Sequence, residues 1–222
     1  MINIGLITAK QAKLRPNSWA VFDQTSNKRI TFLELDELVK KIANGLLNLG
    51  LKKGDRVSIL SQNTIEFLAL FFACGRVGLV AHALNWRLGS DELTQIIENG
   101  QPKVIITQGQ FSEITRDLQG KINFIDHWLE YGSDSNSSFD ILIDEASSNE
   151  PIVPKIIGDN DPFFILYTGG TTGISKGALH THKSAYFGML NQTVAERIVP
   201  SDVYMLTGQM FHIPVLLAMN YT

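Results

Sequence analysis

Cysteine is almost missing from this chain. One residue, Cys74, stands among 222, so no intrachain disulfide framework exists and a reducing compartment is expected. Cys74 lies in an apolar stretch and reads as a small buried hydrophobe. Basic patches are missing too. Lysine and arginine total 19 against 22 acidic residues, a formal charge of −3, and the cations do not cluster, which argues against nucleic acid as a main partner. No apolar run reaches membrane length. The longest, Phe67 to Gly75, has nine positions, where a transmembrane segment needs about 20. Residues 1–15 put their lysines and Arg15 after a short apolar start, the reverse of a secretory leader. These exclusions make a cytoplasmic location the expectation. A nucleophile paired with a base cannot be picked out by spacing. His180 and His182 are two apart but have no third ligand for a metal, so both are read as structural.

What is present is a globular pattern. Hydrophobic residues make up 44% and charged residues 18%, a balance that buries a substantial core and excludes disorder. Helix is predicted around Ile7 to Leu14, then strand over Trp19 to Phe22. Thr31 with Glu34 three residues on forms a capping-box pattern. Apolar positions Phe32, Leu35, Val39, Ile42, Leu46 and Leu49 then recur at helical spacing until Gly50. Further along, the pattern predicts a strand at Arg56 to Leu60 and a helix capped by Asn63 and running to Arg76. A strand at Leu79 to Leu84 and a helix capped by Ser90 and ending near Gly100 come next. Val104 to Ile106 reads as a strand, Phe111 to Leu118 as a weaker helix and Ile122 to Ile125 as a strand. Residues 132–151 hold six serines and read as a surface connection around one apolar segment, Phe139 to Ile143. A helix over Lys183 to Ile198 and a strand at Val203 to Thr207 complete the reading. Strands alternating with helices predict an α/β fold, a mostly parallel sheet flanked by helices. The expected organisation is a first α/β portion over 1–131, a connecting segment over 132–160 and a loop-bearing portion over 161–222.

The densest chemical signal is Tyr167-Thr168-Gly169-Gly170-Thr171-Thr172-Gly173-Ile174-Ser175-Lys176-Gly177. Four glycines, three threonines, a serine and a lysine fall in eleven positions behind the apolar run Phe163 to Leu166. Glycines let backbone N–H groups turn toward a ligand without a Cβ in the way. Hydroxyls add donors, and lysine adds a mobile positive charge. Such a loop suits a polyphosphate. It is not the common P-loop, because Ser175 and not glycine precedes Lys176, and Ala178 to His182 reads as a strand, not a helix start. The loop is therefore expected to join two strands.

This stretch resembles the phosphate-binding signature of the adenylate-forming (AMP-binding) superfamily: acyl-CoA synthetases, luciferases and the adenylation domains of peptide synthetases. The usual form has serine at the place of Gly169 and proline at that of Ser175; the double glycine is also seen in ligases for long-chain fatty acids. Thr31-Phe32-x-Glu34-Leu35, Gly54-Asp55-Arg56-Val57 and Leu84-Asn85-Trp86-Arg87-Leu88 are similar to structural segments of that family. Met210-Phe211-His212-Ile213-Pro214 resembles its next motif, commonly Pro-Met-Phe-His, with Gln209 in place of the proline. Amino-acid-activating members carry aspartate where this chain has His212, which disfavours an amino-acid substrate.

The resemblance implies the fold of the N-terminal part of the large domain of an acyl-CoA synthetase. It implies a ligase of fatty-acid metabolism that joins a small-molecule carboxylate to coenzyme A at the expense of ATP and Mg2+. Thr168, Gly169, Gly170, Thr171, Thr172, Gly173 and Lys176 are expected at the β- and γ-phosphates, Thr168 also at magnesium, and His212 in the carboxylate channel. Ser175 in place of proline removes a fixed φ, so a mobile loop is expected over 168–177 without ligand. The family's later motifs, which supply the magnesium glutamate, the ribose aspartate, the hinge and the adenylation lysine, do not occur here. The chain is therefore expected to be a truncated N-terminal piece, inactive alone. A standalone, non-catalytic nucleotide- or phosphate-binding module is the competing reading.

Overall fold

Apolar helices alternating with short β-branched strands build a six-stranded sheet in the computed structural model, which describes residues 1–133, 137–153, 155–168 and 175–222. A single 3₁₀ turn, Ile4–Leu6, leads into helix α1 (Ile7–Leu14). Strands β1 (Trp19–Asp23) and β2 (Lys28–Thr31) then form a separate antiparallel ribbon. β2 carries Lys28 and Arg29 and buries only Ile30, so its pattern does not stand out from a loop. Thr31 caps α2 (Phe32–Asn48) as expected. Its hydroxyl accepts the Glu34 N–H at 3.3 Å, and the Glu34 carboxylate accepts the Thr31 N–H at 2.7 Å. Gly50, with φ +86°, takes the left-handed turn past that helix.

The main sheet is laid down by β3 (Arg56–Leu60), β4 (Val80–Leu84), β5 (Val104–Gln108), β6 (His127–Tyr131), β7 (Pro162–Thr168) and β8 (Lys176–Thr181). Its spatial order is β6-β5-β3-β4-β7-β8, parallel throughout except for the antiparallel β7–β8 edge. Helix α3 (Ile65–Val77) links β3 to β4 and buries every residue but Glu66. It packs with α2 into one apolar layer through Phe67, Phe71 and Phe72. Helices α4 (Ser90–Gly100) and α5 (Ser112–Lys121) build a second layer around Leu93, Ile97 and Leu118. Covering both faces is what an all-parallel stack of apolar strands requires. Beyond the sheet lie α6 (Ser138–Glu145), α7 (His182–Glu196) and α8 (Pro214–Tyr221).

Several boundaries differ from the sequence reading. Thr64, not Asn63, caps α3 by accepting the Phe67 N–H at 3.1 Å. Gly89 holds the cap position of α4, and Ser90 is its first helical residue. Ile122 to Ile125 is not a strand. Ile122 is instead buried in the second apolar layer, its N–H closing α5 onto Leu118, and pairing with β5 begins at His127. Val203 to Thr207 alternates like a strand yet has no ladder partner among the described residues; Val203 is 97% exposed and Tyr204 stacks on Tyr221 at 4.6 Å. The apolar segment within 132–151 folds as α6 and buries Phe139 completely. Because β7 pairs with β4, the loop-bearing portion shares one sheet with the first portion.

Candidate functional site

The carboxyl ends of parallel strands carry the ligand-binding loops in open α/β sheets. Here those ends lead into Ser61 to Asn63 after β3, Asn85 and Trp86 after β4, and Thr168 at the end of β7. Thr168 pairs across the hairpin with Lys176 and donates its hydroxyl to the Lys176 carbonyl at 3.5 Å. Both residues are exposed. The expected strand–loop–strand arrangement is therefore present, with a hydroxyl and an ammonium side chain at its mouth. Gly169, Gly170, Thr171, Thr172 and Gly173 lie outside the described residues, as does most of the stretch for which mobility is expected.

The hairpin stem is tied down one residue below the mouth. Tyr167 pairs with Gly177, and a Cβ at Gly177 would stand 2.9 Å from the Tyr167 ring, so only glycine lets the ring lie across the neighbouring strand. The Tyr167 hydroxyl donates to Asn99 Oδ1 at 2.5 Å, linking the stem to α4, and burial pushes its pKa up. The His82 ring packs 5.3 Å from that of Tyr167. His82 is fully buried on β4, with Nδ1 2.7 Å from Ser58 Oγ, and Nε2 has no hydrogen-bond partner among the described residues. Burial first, and the Arg56 charge second, push its pKa down to about 3, so the ring is neutral.

His212 sits in a turn pinned from two strand ends. Asn63 Nδ2 donates to the Gly208 carbonyl at 2.8 Å, and the Met210 N–H donates to Asn63 Oδ1 at 2.9 Å. Trp86 Nε1 donates to Gln209 Oε1 at 3.1 Å. Phe211 is buried edge-on to Trp86 with centroids 6.2 Å apart, and the His212 ring meets Phe211 at 4.6 Å. The His212 N–H closes the turn onto the Gln209 carbonyl, while its side chain is exposed. Among the described residues no hydrogen bond joins His212 to Thr168 or Lys176. Of the two strands whose following loops pin its turn, β4 adjoins β7, which carries Thr168, and β3 lies one strand further on.

His180 and His182 are held by packing contacts. His180 stacks on Phe164 at 4.5 Å. His182 opens α7, not a strand, stacks on Phe163 at 4.9 Å and accepts the Ile4 N–H at 3.2 Å. Among the described residues no group of three or more His, Cys, Asp or Glu could cage a metal. The donor set fits a magnesium ion only if phosphate oxygens and water supply most of its ligands, with the Thr168 hydroxyl as one contact. Among the described residues no helix is long and apolar enough to cross a membrane. Sequence reasoning missed Asn63 as a turn clamp, Trp86 as a donor, and the Tyr167–Asn99 tie. Position was a signal, since Asn63 and Trp86 lie three and two residues past predicted strands.

Comparison with known proteins gives concordant matches. Residues 8–222 match the family described as AMP-binding enzyme. The chain is 30% identical over 219 residues to the long-chain-fatty-acid–CoA ligase FadD13 of Mycobacterium tuberculosis, covering 97% of this chain and 42% of that protein. It superposes on the inhibitor-bound N-terminal domain of FACL13 from Mycobacterium tuberculosis with a TM-score of 0.85 at 29% identity, covering 100% of this chain and 56% of that one. ATP-bound MatB from Rhodopseudomonas palustris gives a TM-score of 0.86 at 26% identity, covering 100% and 43%. The chain thus spans less than half the length of the curated relatives it matches.

Proposed function

The chain belongs to the AMP-binding enzyme family, and on that premise we propose that it is the phosphate-binding portion of an ATP-dependent acid–thiol ligase, with a fatty acid as the carboxylate. In this reaction a carboxylate oxygen attacks the α-phosphorus of ATP, forming an acyl-adenylate and releasing pyrophosphate. A thiol, that of coenzyme A, then takes the acyl group and AMP leaves. The carboxylate is already an anionic nucleophile, so the first half needs alignment and charge stabilisation on the departing pyrophosphate, with no general base.

This chain's residues divide that work. Lys176 and Thr168, held opposite each other at the hairpin mouth, grip the β- and γ-phosphates together with the Gly169 to Gly173 loop. Mg2+, when bound to the triphosphate, would neutralise charge that builds on the leaving oxygens. His212, exposed above the buried Phe211, orients the carboxylate. The paired Thr168 and Lys176 at the carboxyl edge of the sheet carry this reading, and the FadD13 likeness supports fatty acids as the substrate class. The 222-residue chain is expected to bind polyphosphate and to be inactive alone.

Tripolyphosphate titrated calorimetrically into the chain should bind, and Lys176→Ala should weaken binding about 10-fold, the loss of one charge-assisted contact. ATP–pyrophosphate exchange in the gene product that carries this chain should depend on an added fatty acid and fall at least as far in the same variant. Unchanged exchange would refute the reading, while polyphosphate binding without exchange for any acid would favour the non-catalytic module.

A further inference from the structure

We infer that Asn63, Trp86 and Gln209 form a positioning device that fixes His212 above the sheet edge. The inference rests on the role proposed for His212 and names the residues through which the fold sets it. Asn63 uses both halves of its amide on one turn, donating to Gly208 and accepting from Met210. That geometry fixes the backbone on either side of position 209 and leaves the amide no capping role, which Thr64 fills. Gln209 projects from the middle of the clamped turn to accept the Trp86 indole N–H. Trp86 also supplies the ring against which Phe211 lies edge-on, and Phe211 in turn carries the His212 ring.

The device therefore joins three points. The end of β3 holds the turn's backbone, the end of β4 holds its side chain, and the two aromatic rings transmit the position to the imidazole. The similar motif commonly has proline at position 209, which fixes φ covalently near −65°. A side-chain hydrogen bond does the fixing here, so the turn's rigidity depends on a donor supplied by another loop. None of the three residues is required to touch substrate. They act through His212.

The test has two arms. In the first, histidine side-chain NMR of the 222-residue chain reports the His212 environment without any catalysis. Trp86→Phe keeps an aromatic ring but removes the donor, and Gln209→Met keeps length but removes the acceptor. Each should move or broaden the His212 signal, and the double variant should look like either single one, because one bond is lost in all three. Asn63→Leu should have the larger effect. Asn63→Asp, which keeps the acceptor for Met210, should restore part of the parent spectrum.

In the second arm, the gene product that carries this chain should lose about 10- to 100-fold in kcat/KM for the carboxylate with Asn63→Leu, the scale expected for about 1 Å of misplacement. KM for ATP should stay within about twofold of the parent, since the phosphate loop hangs from other strands. An unmoved His212 signal in folded Asn63→Leu and Gln209→Met would overturn the inference. So would additive effects of Trp86→Phe and Gln209→Met, or a loss that falls equally on ATP and the acid. If the parent shows no exchange with any acid, the proposed function fails, and the NMR arm still decides the positioning device.

Discussion

Tyr167 shows how much one side chain near the loop is asked to do. Its ring fills the space above Gly177 and its hydroxyl reaches Asn99 on α4, so Tyr167→Phe keeps the packing and removes only the bond. Asn99 is exposed and regains water, so the cost to stability should be about 1 kcal/mol by urea denaturation. Arg76 is a stronger case. Its guanidinium is buried and pairs with Asp36 at 2.5 Å and Glu150 at 2.5 Å. Burial alone would raise the Asp36 pKa, but the Arg76 hydrogen bond and charge outweigh it and the net shift is downward. Arg76→Leu leaves Asp36 buried with, among the described residues, the Thr8 hydroxyl and the Lys40 ammonium as its polar partners. It should destabilise the fold by about 3–5 kcal/mol in the same measurement. Histidines set the acid response. Burial lowers the pKa of His82 to about 3 and that of His182 to about 4. Both therefore stay neutral in the fold while the unfolded chain takes up protons near pH 6.5. Their contribution is complete above that pH and is lost as pH falls toward 4, by about 1.4 kcal/mol per unit per histidine. Urea midpoints measured from pH 7.5 to 5 should fall accordingly, and His182→Asn should flatten the slope.

Elements were legible where one periodicity dominates. α2 announces itself by its capping box, its apolar face and Gly50, and the structure keeps all three. β3, β4 and β5 read as short buried-type strands, rich in Val, Ile, Leu and Ala, because both faces of the sheet are covered. Edge elements gave weaker signals. β6 has one neighbour and is mostly half-buried, so the apolar Ile122 and Ile125 just before it outweighed it in the pattern. Asn63 and Thr64 are both good caps by residue type, and only the folded chain assigns one to α3 and the other to the turn at Gly208. Thr64→Ala should therefore cost about 1 kcal/mol in thermal or chemical denaturation. It should leave the His212 signal near that of the parent, the opposite split from Asn63→Leu.

At the scale of the molecule, α7 stands apart. Tyr186, Leu190 and Val194 recur every fourth residue and remain exposed at 41%, 41% and 71%. Phe187, on the same helix, is also exposed, at 47%, so α7 turns several large apolar side chains to solvent. The chain should bind a hydrophobic dye such as ANS in its native state. Leu190→Lys with Val194→Lys should lower that fluorescence severalfold without changing the melting midpoint by more than a few degrees. Equal fluorescence in parent and variant would place the dye elsewhere.

By itself the sequence determined the α/β class, the order of the central elements and the strand–loop–strand setting of the Gly/Thr/Lys stretch, because these follow from local periodicity and backbone freedom. It also singled out Thr168, Lys176 and His212 as candidates. Only the tertiary structure decided which strand lies beside which, that β8 runs antiparallel against β7, and that Asn63, Trp86 and Gln209 meet around one turn. Those contacts join residues up to 147 positions apart. No local pattern encodes them, since they exist only once β3 and β4 are packed side by side.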